Sequence, residues 1–128
     1  MERYFFFLQQ RHDVGDSMAE SRGGKEDMRL KKSYEGLFET GTEYIGPDRF
    51  AKTFTSAQLK VKSKQNNISG LQLADLIAHP SRREILLENG KITDNRNDIF
   101  ADRIVEILQG KYYARGDKVL GHGKKLLQ

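Results

Sequence analysis

Leu71-Gln72-Leu73-Ala74-Asp75-Leu76-Ile77-Ala78-His79 is apolar around most of a helical circumference, broken only by Gln72, Asp75 and His79. The pattern extends from Ser69 to about Asn89, where Asn89-Gly90 supplies a stop. Pro80 removes one backbone hydrogen bond and is expected to kink or divide the helix near His79. A helix this apolar is expected to be buried. At 100° per residue Gln72, Asp75 and His79 fall within roughly 60° of arc, one polar line on a greasy cylinder. An aspartate so placed needs a cation, a metal or hydrogen-bond donors, or it gives up its charge. Asp75 is therefore the leading candidate for function. Plainer roles compete as expectations: Ser69-x-x-Gln72 fits a capping box, His79 before Pro80 reads as a surface residue facing the expected kink, and pairing with an arginine such as Arg82 or Arg22 is the alternative for Asp75.

Downstream, a helix from about Asn97 to Gln109 carries Phe100, Ile104, Ile107 and Leu108 as its apolar stripe, with Gly110 as its stop. Upstream, Ser56–Ser63 alternates, with Ala57, Leu59 and Val61 on one face and Lys60 and Lys62 on the other. Lysines along one face, continuing to Lys64, mark an edge strand. Gln65-Asn66-Asn67 reads as a loop and Gly46-Pro47-Asp48 as a turn. Leu30, Tyr34, Leu37 and Phe38 recur at helical spacing, in a helix with Glu26 and Asp27 in its first turn and its end near Glu39. A strand is expected over Val14–Ser21. Tyr4-Phe5-Phe6-Phe7-Leu8 has no periodicity that separates helix from strand. Short strands alternating with helices give an α/β domain over residues 1–128.

Composition narrows the classes. Hydrophobic residues are 37% and charged residues 31% of 128, against typical values of roughly 45–50% and 25%, a polar but foldable balance. Cysteine is absent, which excludes disulfides, thiolate zinc sites and thiol nucleophiles and fits a reducing compartment. No apolar run approaches the roughly 20 residues of a membrane span, and Tyr4–Leu8 is too short for a secretory signal core. A cytoplasmic protein with no membrane partner is expected. The formal net charge of +4 resides in a basic tail over residues 111–128, where Lys111, Arg115, Lys118, Lys124 and Lys125 face only Asp117. Such a tail leans toward anionic partners.

A second cluster lies at the end of the first expected strand, where Glu20 precedes Ser21-Arg22-Gly23-Gly24 and Asp27 follows. Carboxylates at the carboxyl ends of strands in α/β sheets face the usual ligand crevice. No Walker or dinucleotide fingerprint is present, and nothing resembles a nucleophile elbow. Three scattered histidines without cysteine disfavour zinc, whereas carboxylates with a glutamine suit Mg²⁺ or Mn²⁺.

The runs Ala19-Glu20-Ser21-Arg22-Gly23-Gly24-Lys25-Glu26-Asp27 and Asn67-Ile68-Ser69-Gly70-Leu71-Gln72-Leu73-Ala74-Asp75-Leu76-Ile77-Ala78 resemble the bacterial and phage domain of unknown function 3800 family. The closing Val119-Leu120-Gly121-His122-Gly123-Lys124-Lys125 is similar to that family's C-terminal stretch. The resemblance covers roughly residues 14–128. It implies a ribonuclease-H-like mixed sheet with flanking helices, in which acidic residues bind divalent metal. By that resemblance Glu20 is the acidic residue of the fourth strand and Asp75 the one on a later helix. Family members open with a strand bearing Asp-Glu-Ser-Gly, and this sequence has none. The resemblance thus implies a truncated domain lacking its N-terminal strands, completed by another chain or by a second copy.

Two functions follow as expectations. The first is a metal-dependent nuclease or phosphodiesterase-like domain with little activity alone, with Glu20 and Asp75 as catalytic metal ligands (Mg²⁺ or Mn²⁺) and Gln72, Arg22, Asp27 and His79 in support. The second is a non-catalytic nucleic-acid-binding or protein-interaction module. It would use Lys60, Lys62, Lys124 and Lys125, with Tyr112 and Tyr113 interleaved in the basic tail.

Overall fold

The computed structural model describes residues 1–93 and 98–126 and is α/β, with five α-helices and a two-stranded parallel sheet among those residues. The order is α1 (Glu2–Arg11), β1 (Met18–Glu20), α2 (Gly24–Glu39), α3 (Pro47–Thr53), β2 (Lys60–Lys62), a 3-10 turn (Lys64–Asn66), α4 (Ser69–Glu88) and α5 (Ile99–Gln109). The chain packs as two units, Met1–Leu71 and Gln72–Gln128. No helix among the described residues is long and apolar enough to cross a membrane.

Tyr4–Leu8 lies within α1, and the helix settles what the run cannot reveal as a string of letters. Its turn carries Phe5 and Leu8 inward, to 0% and 4% exposure, and leaves only Phe6 substantially outside. Phe5 and Leu8 join Ile45, Phe50 and Phe54 in the core of the first unit, with Tyr4, Phe7, Leu37 and Phe38 packed against it. Phe50 is the hub: its ring lies 5.5 Å from Phe5, 6.2 Å from Phe38 and 5.9 Å from Phe54, the last stacked. Phe50 sits on α3, which occupies the place of the expected turn. Pro47 is its first residue, where the missing N–H costs nothing and the fixed φ favours a helix. On α2, Tyr34 is buried and Leu37 and Phe38 meet the core, whereas Leu30 is exposed.

Both strands are shorter than their alternation predicts. Asp13 accepts a hydrogen bond from the Val14 N–H and Asp16 from the Ser17 N–H, both at 2.8 Å, so side chains take the donors that would otherwise join a ladder. Before β2, the Ser56 hydroxyl donates to the Gln58 carbonyl and accepts from its N–H, a local turn. What remains is Met18–Glu20 paired in parallel with Lys60–Lys62, Glu20 opposite Lys62. The connection through α2 and α3 makes a β-α-β unit. An isolated bridge joins Gly15 to Phe54. A Cβ on Gly15 would stand 2.3 Å from Tyr4 Oη and 2.7 Å from Leu8 Cδ1, so glycine lets this backbone lie against α1.

In the second unit α4 is one continuous helix through Pro80, which is itself buried, so the expected division at His79 does not occur. The expected burial of the apolar segment fails as well: Leu73 is 58% and Leu76 48% exposed, and Gln72, Asp75 and His79 are exposed. On α5 the inward line is Ala101 and Ile104, while Phe100 and Ile107 face out. Its expected start at Asn97 lies outside the described residues; Asp98 caps it, accepting from the Ala101 N–H at 3.1 Å.

The basic tail folds back. Gly121 N–H donates to the Lys124 carbonyl at 2.7 Å, and Lys124 is 7% exposed. Its ammonium lies 2.8 Å from Glu84 Oε1 as an ion pair and donates a hydrogen bond to Glu88 Oε1 at 2.9 Å. Glu84, also 7% exposed, accepts from the Tyr112 hydroxyl at 2.9 Å through Oε2, while Oε1 has charge contact without a hydrogen bond. Burial alone would lower the Lys124 pKa, but the attraction of the Glu84 and Glu88 carboxylates outweighs it and the net shift is upward.

Two stability outcomes are expected in chemical denaturation. Gly15→Ala should cost about 1–3 kcal/mol, because α1 must move to admit the methyl. Lys124→Met should cost about 3 kcal/mol near neutral pH, because Glu84 stays buried without its cation. A raised folded-state pKa gives stability that is complete below the ordinary lysine value of 10.5 and is lost as pH rises through the folded value. The gap between wild type and Lys124→Met should therefore shrink above that pH.

Candidate functional site

Glu20 ends β1, and the chain turns from there into α2 through Ser21, Arg22 and Gly23. Gly23 makes the turn at φ 122°, a conformation that an L side chain resists. The result is a crevice of about 450 Å³ lined by Ala19, Glu20, Arg22, Glu26, Asp27 and Leu30. It stands at the carboxyl end of a parallel strand and the start of a helix, the customary ligand position of α/β sheets. The Ser21 N–H donates to the Lys62 carbonyl at 2.8 Å, which extends the strand pairing to the crevice edge.

Asp27 builds the crevice wall. Its Oδ2 accepts from the Ser21 hydroxyl at 2.5 Å and its Oδ1 from the Arg22 N–H at 2.9 Å. These bonds, the serine's first, hold its pKa below the ordinary 3.8. With both oxygens engaged, Asp27 is a brace for the loop. Glu20 is half-buried and Glu26 and Arg22 are exposed. The structure thus gathers Glu20, Arg22 and Asp27, as the sequence order leads one to expect, and adds Glu26, whose place in the first turn of α2 was the available signal.

Asp75 belongs to the second unit. It is exposed on α4, with no ion pair or hydrogen bond among the described residues, and His79 and Gln72 are exposed along the same helix. Among the described residues no three His, Asp or Glu side chains gather closely enough to hold a metal ion.

The lysines divide. Lys60 pairs with Asp16, and Lys62 is exposed. Lys125 is exposed, but Lys124 is buried between Glu84 and Glu88 and is removed from any solvent-facing basic set. Tyr112 is drawn in with it: the Lys124 ammonium lies 4.6 Å from its ring centroid and its hydroxyl is spent on Glu84. Glu84 and Glu88 carried no signal in sequence beyond their i, i+4 spacing. No protein-family model, curated protein or solved structure matches the chain.

The brace is testable by NMR titration of the carboxylates. Asp27 should titrate below 3.8, and Ser21→Ala should raise its midpoint. A depressed pKa gives order that is present above the ordinary value and lost as pH falls through the folded one, so the Arg22 amide resonance should shift in the same acid window.

Proposed function

We propose that this chain contributes to a ribonuclease-H-like, divalent-metal-dependent phosphodiesterase domain, supplying Glu20 and Asp75 as oxygen ligands, and that alone it has little or no activity. The observation that carries the reading is the half-buried Glu20 in a crevice at the carboxyl end of a parallel strand. Carboxylates are the ligands that Mg²⁺ and Mn²⁺ prefer, and such ions would polarise a phosphodiester and activate water. The chain's own residues have simpler tasks. Arg22 gives the crevice a cation for an anionic group, Asp27 fixes the loop, and Asp75 presents an exposed carboxylate on α4. The incomplete ligand set is the reason for expecting no turnover: a two-metal site needs about three or four convergent oxygen donors.

The test is calorimetric Mn²⁺ titration of wild type, Glu20→Gln and Asp75→Asn, with a phosphodiester cleavage assay beside it. Weak binding, weakened further in each variant, and cleavage at the blank level are expected. Tight binding unchanged by both substitutions, or cleavage insensitive to both, contradicts the reading.

A second reading, a protein-interaction module, is favoured by one observation. Leu73 and Leu76 leave an apolar line of α4 uncovered.

A further inference from the structure

Within the second unit, adjacent cations have opposite fates. Arg83 pairs with Asp102 at 3.1 Å and Lys124 with Glu84 and Glu88, while their neighbours Arg82 and Lys125 have no carboxylate partner among the described residues. Those two unpartnered cations flank a single cleft. Ala78, Arg82, Ile85 and Leu86 form one wall from one side of α4, Lys125 and Leu126 of the tail form the other, and the space between them is about 490 Å³. The floor is aliphatic and the rim is cationic.

The tail wall is fixed in place. Lys124 anchors it to α4, and its carbonyl accepts from Gly121. Gly123 lies so close to the preceding segment that a Cβ there would stand 2.5 Å from the Tyr113 carbonyl oxygen. A wall held this way keeps its shape before anything binds, which lowers the entropic cost of binding.

We propose that this cleft docks an acidic amphipathic segment of a partner protein, an aliphatic side chain entering between Ile85 and Leu86 and carboxylates meeting Arg82 and Lys125. Charge complementarity selects an acidic occupant. The aliphatic floor selects against nucleic acid, because its lining has no aromatic face on which a base would stack. Arg82 follows Asp75 by seven residues on the same helix, so the docked segment lies about 10 Å along the axis from that carboxylate. The inference does not depend on metal binding, and the test is run in EDTA, so its failure and the failure of the carboxylate reading are separate results.

The probe is a fluorescein-labelled synthetic peptide with leucines at helical spacing and glutamates between them, mixed with the full chain and read by polarisation. A lysine-for-glutamate peptide and labelled oligothymidylate serve as comparisons. The acidic peptide should bind, more weakly at high salt, and the double variant Arg82→Glu/Lys125→Glu should weaken it about tenfold or more. Leu86→Asp should do the same, while Lys64→Glu should leave binding unchanged. Should Leu86→Asp lose its helical circular dichroism, the two surface charge reversals decide. Absence of acidic-peptide binding, or equal binding by the double variant, overturns the proposal. So does oligothymidylate binding that the double variant abolishes while the acidic peptide does not bind. Sedimentation showing a dimer that the double variant dissolves, again without peptide binding, would assign the cleft to a second copy and overturn it too.

Discussion

Phe50 is the residue on which the first unit turns. A seven-residue helix has no independent stability, and a strand pair of three residues each has hardly more. Both exist because the ring of Phe50 contacts rings from α1 and α2 and stacks on Phe54. Each such buried aromatic contributes about 1.5–3 kcal/mol of desolvation, and the ring pairs add a smaller directional term. The backbone at Gly15 and Phe54 is bridged at this cluster, and β1 follows three residues later. The position of Glu20 is thus inherited from an aromatic cluster that includes none of the candidate site residues.

The second unit rests on a different balance. Glu84 and Lys124 are both buried, and the desolvation of two ions offsets much of their attraction. Such a pair is weak evidence for stability. Its effect is specificity: the tail can bury Lys124 only where Glu84 and Glu88 wait for it, and that register presents Lys125 to the cleft.

Legibility from sequence followed the range of the forces involved. The body of α2, α4 and α5 was readable because apolar residues at helical spacing and a stop lie within one segment. Which of those residues are buried was not: Phe100 and Ile107 of α5 and Leu73 and Leu76 of α4 are exposed. For α1 the run Tyr4–Leu8 showed no period, since all five residues are apolar and only the packing selects Phe5 and Leu8. For α3 a Gly-Pro-Asp signal indicates a turn and a helix start equally well, and Phe50 decided between them through distant contacts. The strands shrank because Asp13, Asp16 and Ser56 bind their own neighbours' backbones. At the site, Glu20, Arg22 and Asp27 are close in sequence and were found together. Lys124 was read among the nucleic-acid-binding lysines of the tail because its partners are 36 and 40 residues away. Asp75 was expected under an apolar cover, and the residues beside it are exposed.

The central claim, that the aromatic cluster positions the Glu20 crevice, is tested most directly by amide hydrogen exchange at Ser21 in wild type and Phe50→Ala. The Ser21 N–H donates to Lys62 across the strand pair and touches no part of the aromatic cluster. The account predicts that Phe50→Ala sharply accelerates exchange at Ser21 while the interior of α2 remains helical. Unchanged Ser21 protection in a folded Phe50→Ala variant would contradict it.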